Sequence, residues 1–265
     1  MTVDAIESIR ATVNFQQDRV DAGTYSHWDP SMTKLKLRPT EIDIINMRSL
    51  PVPPALDREG FTVARHAVEG DWTDQDWVQG GYVASCLDLV KELTGAKHTL
   101  AIYYPLIRNV ENREGEYETA RFIHMDSPRA EYRALAETIA REQGHELKRG
   151  AVYNVWKALS PPPQSQPLAV ADRRDVGMED FVRGMNVAGG SFVEAPFLGV
   201  AEPAKPISIY YAPDLRIDES LVFLSADFDP DRPLGCPHTA IVPPAGTAGL
   251  VPRKSVEARV IALFD

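Results

Sequence analysis

The sequence is poor in cysteine and has no long apolar run. Its only cysteines, Cys86 and Cys236, are far apart and form no CxxC pair. This usage indicates a reduced, cytoplasmic protein rather than a disulfide framework. No stretch approaches the roughly 18 apolar residues of a membrane-spanning helix. The N-terminal residues also lack the basic and apolar regions of a signal peptide, so we expect neither feature.

Positive charge is also in short supply. The 265 residues include 28 Lys and Arg against 38 Asp and Glu, which gives a formal net charge of −10. Nucleic-acid binding needs a basic face, so we expect no nucleic-acid partner and no membrane surface, but a small-molecule ligand. The oligomeric state stays open, and a homodimer is one of the options.

Short segments rich in β-branched and aromatic residues are what the sequence does have. Seven of them predict strands: HTLAIYYPLI, ARFIHMD, GAVYNVWKAL, PISIYYA, ESLVFLSADF, HTAIVP and KSVEARVIALF. Many short strands separated by turn residues favour a sandwich or barrel. We therefore predict an α+β protein with a β-barrel or double-sheet core and flanking helices, formed as one domain over residues 1–265.

Two segments have helical periodicity and recognisable ends. The first begins with a capping box at Thr73 and stops at Gly95. The second begins with Ser127 as the predicted cap and Pro128 in the first turn, and it ends at Gly144.

A histidine and an aspartate stand two residues apart at the end of a predicted strand. His124 and Asp126 flank Met125, and the second helix follows at once. Side chains of a strand alternate between its faces, so His124 and Asp126 point the same way. Together they offer a nitrogen and an oxygen ligand to a metal ion. His27 and Asp29 form a second pair of this kind, which we disfavour because it lies in a polar loop near the N-terminus.

A third ligand is predicted at His238, at the head of another short apolar strand. Two histidines and one carboxylate are the ligand set of Fe(II) oxygenases, and this set leaves open coordination positions. Arg253 and Ser255 follow about a dozen residues later on one face of a strand. A guanidinium fork and a hydroxyl match the distal carboxylate of 2-oxoglutarate, which would bind iron through its keto-acid end.

Each of these residues also has an ordinary structural interpretation. His124 and His238 could be hydrogen-bonded strand-end histidines, and Arg253 could form a solvent-facing ladder of ion pairs with Glu257 and Arg259. The same three metal ligands could instead hold Zn(II) and activate water. A non-catalytic ligand-binding barrel is the third alternative. The order of the motifs along the chain favours the Fe(II) site.

The sequence resembles a known enzyme family over its whole length. The matching segments include IRATVNF, ALDREGFTVARH, FIHMDSP, YNVWKAL, IYYAPDLRIDESLVF, PHTAI and PRKSVEARVIALF. They resemble the hydroxylase/desaturase family that includes the cephamycin 7-alpha-methoxylase component and fungal aspergillic-acid and meroterpenoid oxygenases. The combination of Asn-x-Trp, Pro-His-Thr-Ala and Arg-x-Ser-x-Glu-x-Arg is far more specific than any one of these motifs.

The resemblance implies a double-stranded β-helix (jelly-roll or cupin-like) enzyme that uses Fe(II), 2-oxoglutarate and O2. By position, the iron ligands are His124, Asp126 and His238, and the 2-oxoglutarate clamp is Arg253 with Ser255. The product is a hydroxylated or desaturated small molecule, of secondary-metabolite type.

The resemblance also gives roles to Asn154 and Trp156, which it implies line the cosubstrate or substrate pocket. A strand partner and a core indole are the structural alternatives for these two residues. Family members commonly read His-Arg-Trp-Tyr-Tyr where this chain has residues 207–211, Ile-Ser-Ile-Tyr-Tyr. They also tend to have Asp-Ser where this chain has Asp229-Pro230. We therefore expect a pocket of different shape and leave the substrate open.

Overall fold

Two β-sheets face each other in this computed structural model. The structure describes residues 5–26, 29–109, 119–187, 195–244 and 247–264. The strands are β1 Ser8–Gln16, β2 Gly23–Tyr25, β3 Leu37–Asn46, β4 Phe61–Arg65, β5 His98–Asn109, β6 His124–Met125, β7 Arg149–Ala158, β8 Leu168–Ala171, β9 Phe181–Asn186, β10 Ala195–Val200, β11 Ile209–Tyr211, β12 Glu219–Asp227, β13 His238–Ala240 and β14 Lys254–Phe264.

The helices are fewer and lie outside the strand framework. They are α1 Gln75–Trp77, a π-helical turn Val78–Tyr82, α2 Val83–Thr94 and α3 Arg129–Glu142, with 3-10 turns at Pro30–Met32, Met47–Ser49 and Met178–Asp180. Within the described ranges, no helix is long and apolar enough to cross a membrane.

The strands form a nine-stranded and a five-stranded sheet. The order of the larger sheet is β1-β3-β11-β8-β13-β6-β10-β9-β2, and that of the smaller sheet is β4-β12-β7-β14-β5. Each sheet mixes strands that are far apart in sequence, as the predicted double-sheet core requires. The short strands β6 and β13 are adjacent in the larger sheet, where His124 pairs directly with His238.

The five-stranded sheet is buried on both faces. Helix α2 covers the outer face through residues such as Cys86, Leu89 and Val90, which join the same apolar cluster as Val155 of β7. The larger sheet covers the inner face. Buried apolar residues on the two faces provide the main driving force for folding, about 25 cal/mol for each Å² removed from water. The inner face of this sheet is therefore a place where polar groups must find partners.

The starts of the predicted helices differ from the sequence expectation, whereas Gly95 ends α2 as predicted. The cap of the first helical segment is Asp74, whose carboxylate accepts hydrogen bonds from the backbone N–H groups of Asp76 and Trp77. Thr73 instead donates its hydroxyl to Asp71. At α3 the cap position belongs to Pro128, without a side-chain hydrogen bond, so the predicted role of Ser127 was wrong.

The strand prediction was incomplete around the site. The predicted strand ARFIHMD is reduced to two residues, so His124 begins β6 rather than ending a longer strand. Strands β1 to β4 and β8 to β10 were not predicted, and most of them lie in the larger sheet. The alternative metal pair at the N-terminus includes His27, which lies outside the described residues.

One register shift in the smaller sheet affects the inner face. Ile102 pairs with Arg259, but the next paired residues are Leu106 and Glu257, so residues 103–105 of β5 bulge opposite Ala258 alone. Tyr103 has φ of 59°, a conformation that non-glycine residues seldom adopt. The bulge moves β5 along β14 by two positions and sets Arg108 opposite Ser255.

A buried histidine outside the site makes folding stability sensitive to pH. His66 is 7% exposed, and its ring nitrogens contact the hydroxyls of Ser220 (2.8 Å) and Ser85 (3.1 Å). Burial, together with the positive charge of Lys157, lowers the pKa of His66 to about 4. At pH values between about 4 and 6.5, His66 is therefore protonated in the unfolded chain and neutral in the folded chain.

Because of His66, we expect the free energy of unfolding to fall by roughly 2 kcal/mol as the pH is lowered from 7 to about 5. Urea denaturation of the metal-free protein at both pH values measures this loss. The His66→Asn variant should lose correspondingly less stability over the same interval than the wild type. An equal pH dependence in the two proteins would remove His66 from this role.

Candidate metal and cosubstrate site

Three potential metal ligands meet between the two sheets. One ligand atom from each of His124, Asp126 and His238 lies within 4.8 Å of the others. The Nε2 atoms of His124 and His238 are 4.0 Å and 3.8 Å from Asp126 Oδ1. Among the described residues, this is the one group of three or more His, Cys, Asp or Glu side chains with that spacing. The structure thus brings together the three residues that the sequence predicted as ligands.

The backbone fixes both imidazoles in the orientation that metal binding needs. Nδ1 of His124 is 2.8 Å from the carbonyl oxygen of Phe122, and Nδ1 of His238 is 3.4 Å from that of Cys236. A ring nitrogen facing a carbonyl carries the hydrogen, so each Nε2 keeps its lone pair and faces Asp126. Both rings can therefore act as neutral nitrogen ligands.

Burial keeps these imidazoles neutral. It lowers the pKa of His124 to about 4, and the neighbouring His238 acts in the same direction. Burial also lowers the pKa of His238, although the charge of Asp126 opposes the shift. Neutral rings at ordinary pH suit metal coordination, which requires unprotonated nitrogen.

Residues of the five-stranded sheet keep the side chain of Asp126 ionised. Burial alone would raise its pKa, but the charge of Arg259 holds the pKa well below its usual range. Arg259 forms a fork onto both oxygens, with Nη2 2.9 Å from Oδ1 and Nε 3.2 Å from Oδ2. Asn154 donates its amide to Oδ2 at 2.8 Å. The third ligand is thus ionised and oriented without a metal ion.

A small cavity of about 20 Å³ opens beside the three candidate ligands. Arg253 and Trp156 line it, with the Arg253 guanidinium carbon 5.5 Å from the centre of the Trp156 ring. Larger clefts of about 490 and 510 Å³ exist, but among the described residues neither lining brings together a group of metal-binding side chains. The chemistry of the residues, rather than the size of the cavity, identifies this site.

Arg253 is 2% exposed and lies just before β14. Its Nη1 donates to the carbonyl oxygen of Gln166 at 2.6 Å, and no group of the described residues accepts a hydrogen bond from its buried Nε. Burial, together with the charge of Arg108, lowers the pKa of Arg253 to about 9. A buried cation with an unused donor is suited to receive an anion from the cavity.

The other predicted site residues occupy different positions around the same ligands. Ser255 is 1% exposed and sits between Arg108 and Ala158 in the sheet register, outside the described cavity lining. Asn154 also lies outside that lining and contacts Asp126 instead. Trp156 lines the cavity.

Sequence reasoning missed Arg259 and misjudged Glu257. Both were considered as members of a solvent-facing ladder, but their side chains are 16% and 10% exposed and form an ion pair of 2.7 Å inside the protein. The Glu257–Arg259 part of the ladder exists and is buried. The sequence had placed both residues on one face of the strand, but it did not show that the opposing sheet buries that face.

Comparisons with known proteins confirm the predicted fold. A solved structure described as the iron and alpha-ketoglutarate-dependent endoperoxidase NvfI superposes with a TM-score of 0.79, at 22% identity, over 97% of this chain and 98% of that one. At this identity the match shows the shared fold, which confirms the predicted double-stranded β-helix with flanking helices.

Curated relatives confirm the predicted resemblance to fungal oxygenases. The Fe(II)/2-oxoglutarate-dependent dioxygenase nvfI of Aspergillus novofumigatus is 28% identical over 78% of this chain and 77% of its own length. The hydroxylase/desaturase efuI of Hormonema carpetanum is 24% identical over 97% and 96% of the two chains.

A family description also matches nearly the whole chain. It is the oxidoreductase/YMDC permease-like domain, abbreviated YDMC, and it covers residues 13–263, a range that contains every site residue described above. With the match spanning almost all of its length, this chain belongs to the oxidoreductase/YMDC permease-like domain family.

Proposed function

We propose that this protein is a non-haem Fe(II)- and 2-oxoglutarate-dependent oxygenase. It hydroxylates or desaturates a C–H bond of a small molecule, of secondary-metabolite type, with O2 as oxidant, and it releases succinate and CO2. The observation that carries the proposal is the convergence of His124, Asp126 and His238 beside a buried arginine. Relatives with these activities in their names support it.

The residues fit Fe(II) by their chemistry. Two neutral imidazoles and one ionised carboxylate form the ligand set of non-haem Fe(II) oxygenases, and they leave positions open for further ligands. In this proposal His124, Asp126 and His238 hold the metal. When bound, Fe(II) with 2-oxoglutarate supplies the power to oxidise an unreactive C–H bond with O2.

The chain's own residues bind and orient the reactants. Arg253 receives the distal carboxylate of 2-oxoglutarate, because its guanidinium is buried at the cavity and retains an unused Nε donor. Ser255 lies two residues after Arg253, outside the described cavity lining, and in this proposal its hydroxyl assists the clamp. The Arg253 guanidinium carbon lies over the Trp156 ring, 5.5 Å from its centre, and this cation–π contact helps to hold the guanidinium.

The cavity walls restrict water near the metal ligands. Leu168 and Ala240 line the cavity, and Phe223 packs on the ring of His238 with 4.8 Å between the ring centres. These apolar side chains limit water on their part of the wall, while Arg108, Thr239 and Glu257 make the rest of the lining polar. The oxidation outcome depends on where the substrate's carbon is held.

The remaining features of the proposal concern the whole chain. Residues 1–265 act as one catalytic domain, whose site combines residues from both sheets. The enzyme works in the cytoplasm, because Cys86 and Cys236 are both buried free thiols that suit a reducing compartment. Its partner is a small molecule rather than a nucleic acid or a membrane, in keeping with the net charge of −10. A homodimer is compatible with this function.

Removal of an imidazole ligand should remove metal binding while leaving the fold intact. We expect His124→Ala and His238→Ala to weaken Mn(II) affinity by at least ~100-fold, because even indirect partners of metal ligands contribute 10–100-fold. Isothermal titration under anaerobic conditions measures the affinity. His145→Ala is the matched control, since His145 stacks on His98 away from the site. Unchanged Mn(II) affinity in the two ligand variants would exclude this metal site.

Loss of the Arg253 guanidinium should weaken the binding of 2-oxoglutarate. We expect Arg253→Met to raise the KM for 2-oxoglutarate by about 10- to 150-fold, the equivalent of one charge-assisted hydrogen bond, with a smaller effect on kcat. Arg253→Lys should restore part of the affinity because it keeps the charge but not the fork. A KM equal to that of the wild type in Arg253→Met would assign the clamp to another residue.

The activity itself is tested by the fate of the cosubstrate. We expect the Fe(II)-loaded protein to convert 2-oxoglutarate to succinate in the presence of O2, faster when a fitting small molecule is added. Succinate is measured by chromatography, with Zn(II)-loaded protein as the control. Hydrolysis of an ester or amide library by the Zn(II) form, without Fe(II)-dependent succinate, would favour the hydrolytic alternative instead.

A further inference from the structure

The two oxygens of Asp126 are used very differently. Oδ2 accepts hydrogen bonds from Asn154 (2.8 Å) and Arg259 Nε (3.2 Å), with the Ser225 hydroxyl at 3.5 Å. Oδ1 accepts from Arg259 Nη2 at 2.9 Å, and it is the oxygen that faces the Nε2 atoms of His124 and His238. The carboxylate thus has one crowded oxygen and one oxygen directed at the metal position.

We propose that Arg259 and Asn154 are positioning residues that restrict Asp126 to binding the metal through Oδ1 alone. The inference rests on the proposed function, since it assumes a divalent metal between the three ligands. It assigns a task to two residues that do not themselves reach the metal position. Neither residue lines the described cavity, and both act through the carboxylate.

The sheet register explains why these two donors act as a unit. Arg259 of β14 and Asn154 of β7 are directly opposite each other in the antiparallel pair. Opposite residues point to the same face with side chains close together, so the fork and the amide approach the carboxylate from one side. The planar guanidinium matches both carboxylate oxygens at once, which fixes the rotation of the Asp126 side chain.

Glu257 keeps the Arg259 fork in place. Its Oε1 is 2.7 Å from Arg259 Nη2, the same nitrogen that donates to Asp126 Oδ1. Arg259 thus lies between the carboxylates of Asp126 and Glu257, and its contacts with both restrict rotation of the fork.

Restriction to one oxygen matters for the positions left open on the metal. A carboxylate that binds with both oxygens occupies one more coordination position than a carboxylate that binds with one. 2-Oxoglutarate needs two neighbouring positions for its keto-acid end, and O2 needs another. If Oδ2 also bound the metal, cosubstrate binding would compete with Asp126. The donors on Oδ2 prevent this competition.

The test compares Mn(II) and 2-oxoglutarate binding in Asn154→Ala and Arg259→Lys. Mn(II) is redox-inert here and reports its bound waters through proton relaxation, so no turnover is needed. We expect Mn(II) affinity to fall by less than the roughly 10–100-fold usual for loss of an indirect partner, because Asp126 gains a second contact with the metal as it loses its donors. The relaxation enhancement should lose the contribution of one bound water. The affinity of the Mn(II) protein for 2-oxoglutarate should fall by about tenfold or more.

Arg10→Lys is the matched control, because Arg10 forms a comparable ion pair with Asp43 (3.2 Å) on the exposed side of β1 and β3. It should leave all three quantities unchanged. If Mn(II) and 2-oxoglutarate affinity fall together with the melting temperature, the two residues are merely structural and the inference is wrong. Wild-type relaxation and 2-oxoglutarate affinity in Asn154→Ala, which removes no charge, would also overturn it.

A different result separates this inference from the proposed function. If the wild-type protein binds neither Mn(II) nor Fe(II), the metal site itself is absent and both fail. If the wild type binds metal and cosubstrate but the variants match it, only the positioning role of Arg259 and Asn154 fails.

Discussion

The ion pair between Asp126 and Arg259 connects the two sheets at the site. Asp126 follows β6 of the nine-stranded sheet, and Arg259 belongs to β14 of the five-stranded sheet. Burying two charges costs several kcal/mol for each ion, and their attraction offsets this cost only with good geometry and further hydrogen bonds. The fork of Arg259 and the amide of Asn154 supply those hydrogen bonds, and the carboxylate of Glu257 adds an ion-pair contact with Arg259.

Such a pair is poorly explained by stability alone. Buried ion pairs can often be replaced by apolar residues at no loss of stability, whereas removal of one partner is strongly destabilising, by about 3–5 kcal/mol. This pair lies next to two imidazoles, and its role there concerns the state of Asp126 rather than the stability of the fold. It keeps a carboxylate ionised and oriented in a dry interior, where an isolated Asp would take up a proton.

The smaller sheet tolerates this polar row because its other face is apolar. Helix α2 covers Val155 and its neighbours on the outside, while Asn154, Glu257 and Arg259 point inward. One strand therefore contributes both to the core and to the site through simple alternation. The polar side chains of β14 pair with each other and with Asp126, so few buried charges remain without a partner.

The sequence predicted which three residues would meet at the site because they are few and have strict spacing. His124 and Asp126 are close in sequence, and His238 and Arg253 follow in an order typical of the resembled family. The sequence also placed Arg259 on the same face as Arg253, but only as part of an exposed ladder, and its contact with Asp126 was not predicted. It was missed because a row of alternating charges is also typical of an exposed strand, and burial of that row depends on the opposing sheet.

The larger sheet was much harder to predict. Its strands β6, β11 and β13 have only two or three residues each, too short for any periodicity to stand out. Their pairing comes from distant segments, such as His238 beside His124, and no local pattern carries that information. The helix caps failed for a related reason, since Thr73 and Asp74 are both good caps and only the local hydrogen bonds decide between them.

The bulge in β5 affects whether two molecules of this protein can pair through their sheet edges. This strand forms an outer edge of the five-stranded sheet, and such an edge offers unsatisfied backbone groups to any other chain. Tyr103 with its left-handed backbone, and Pro105 without an N–H, interrupt that row of donors and acceptors. The irregularity thus discourages a second molecule from adding a strand there, and so protects the protein against polymerisation along its own hydrogen bonds.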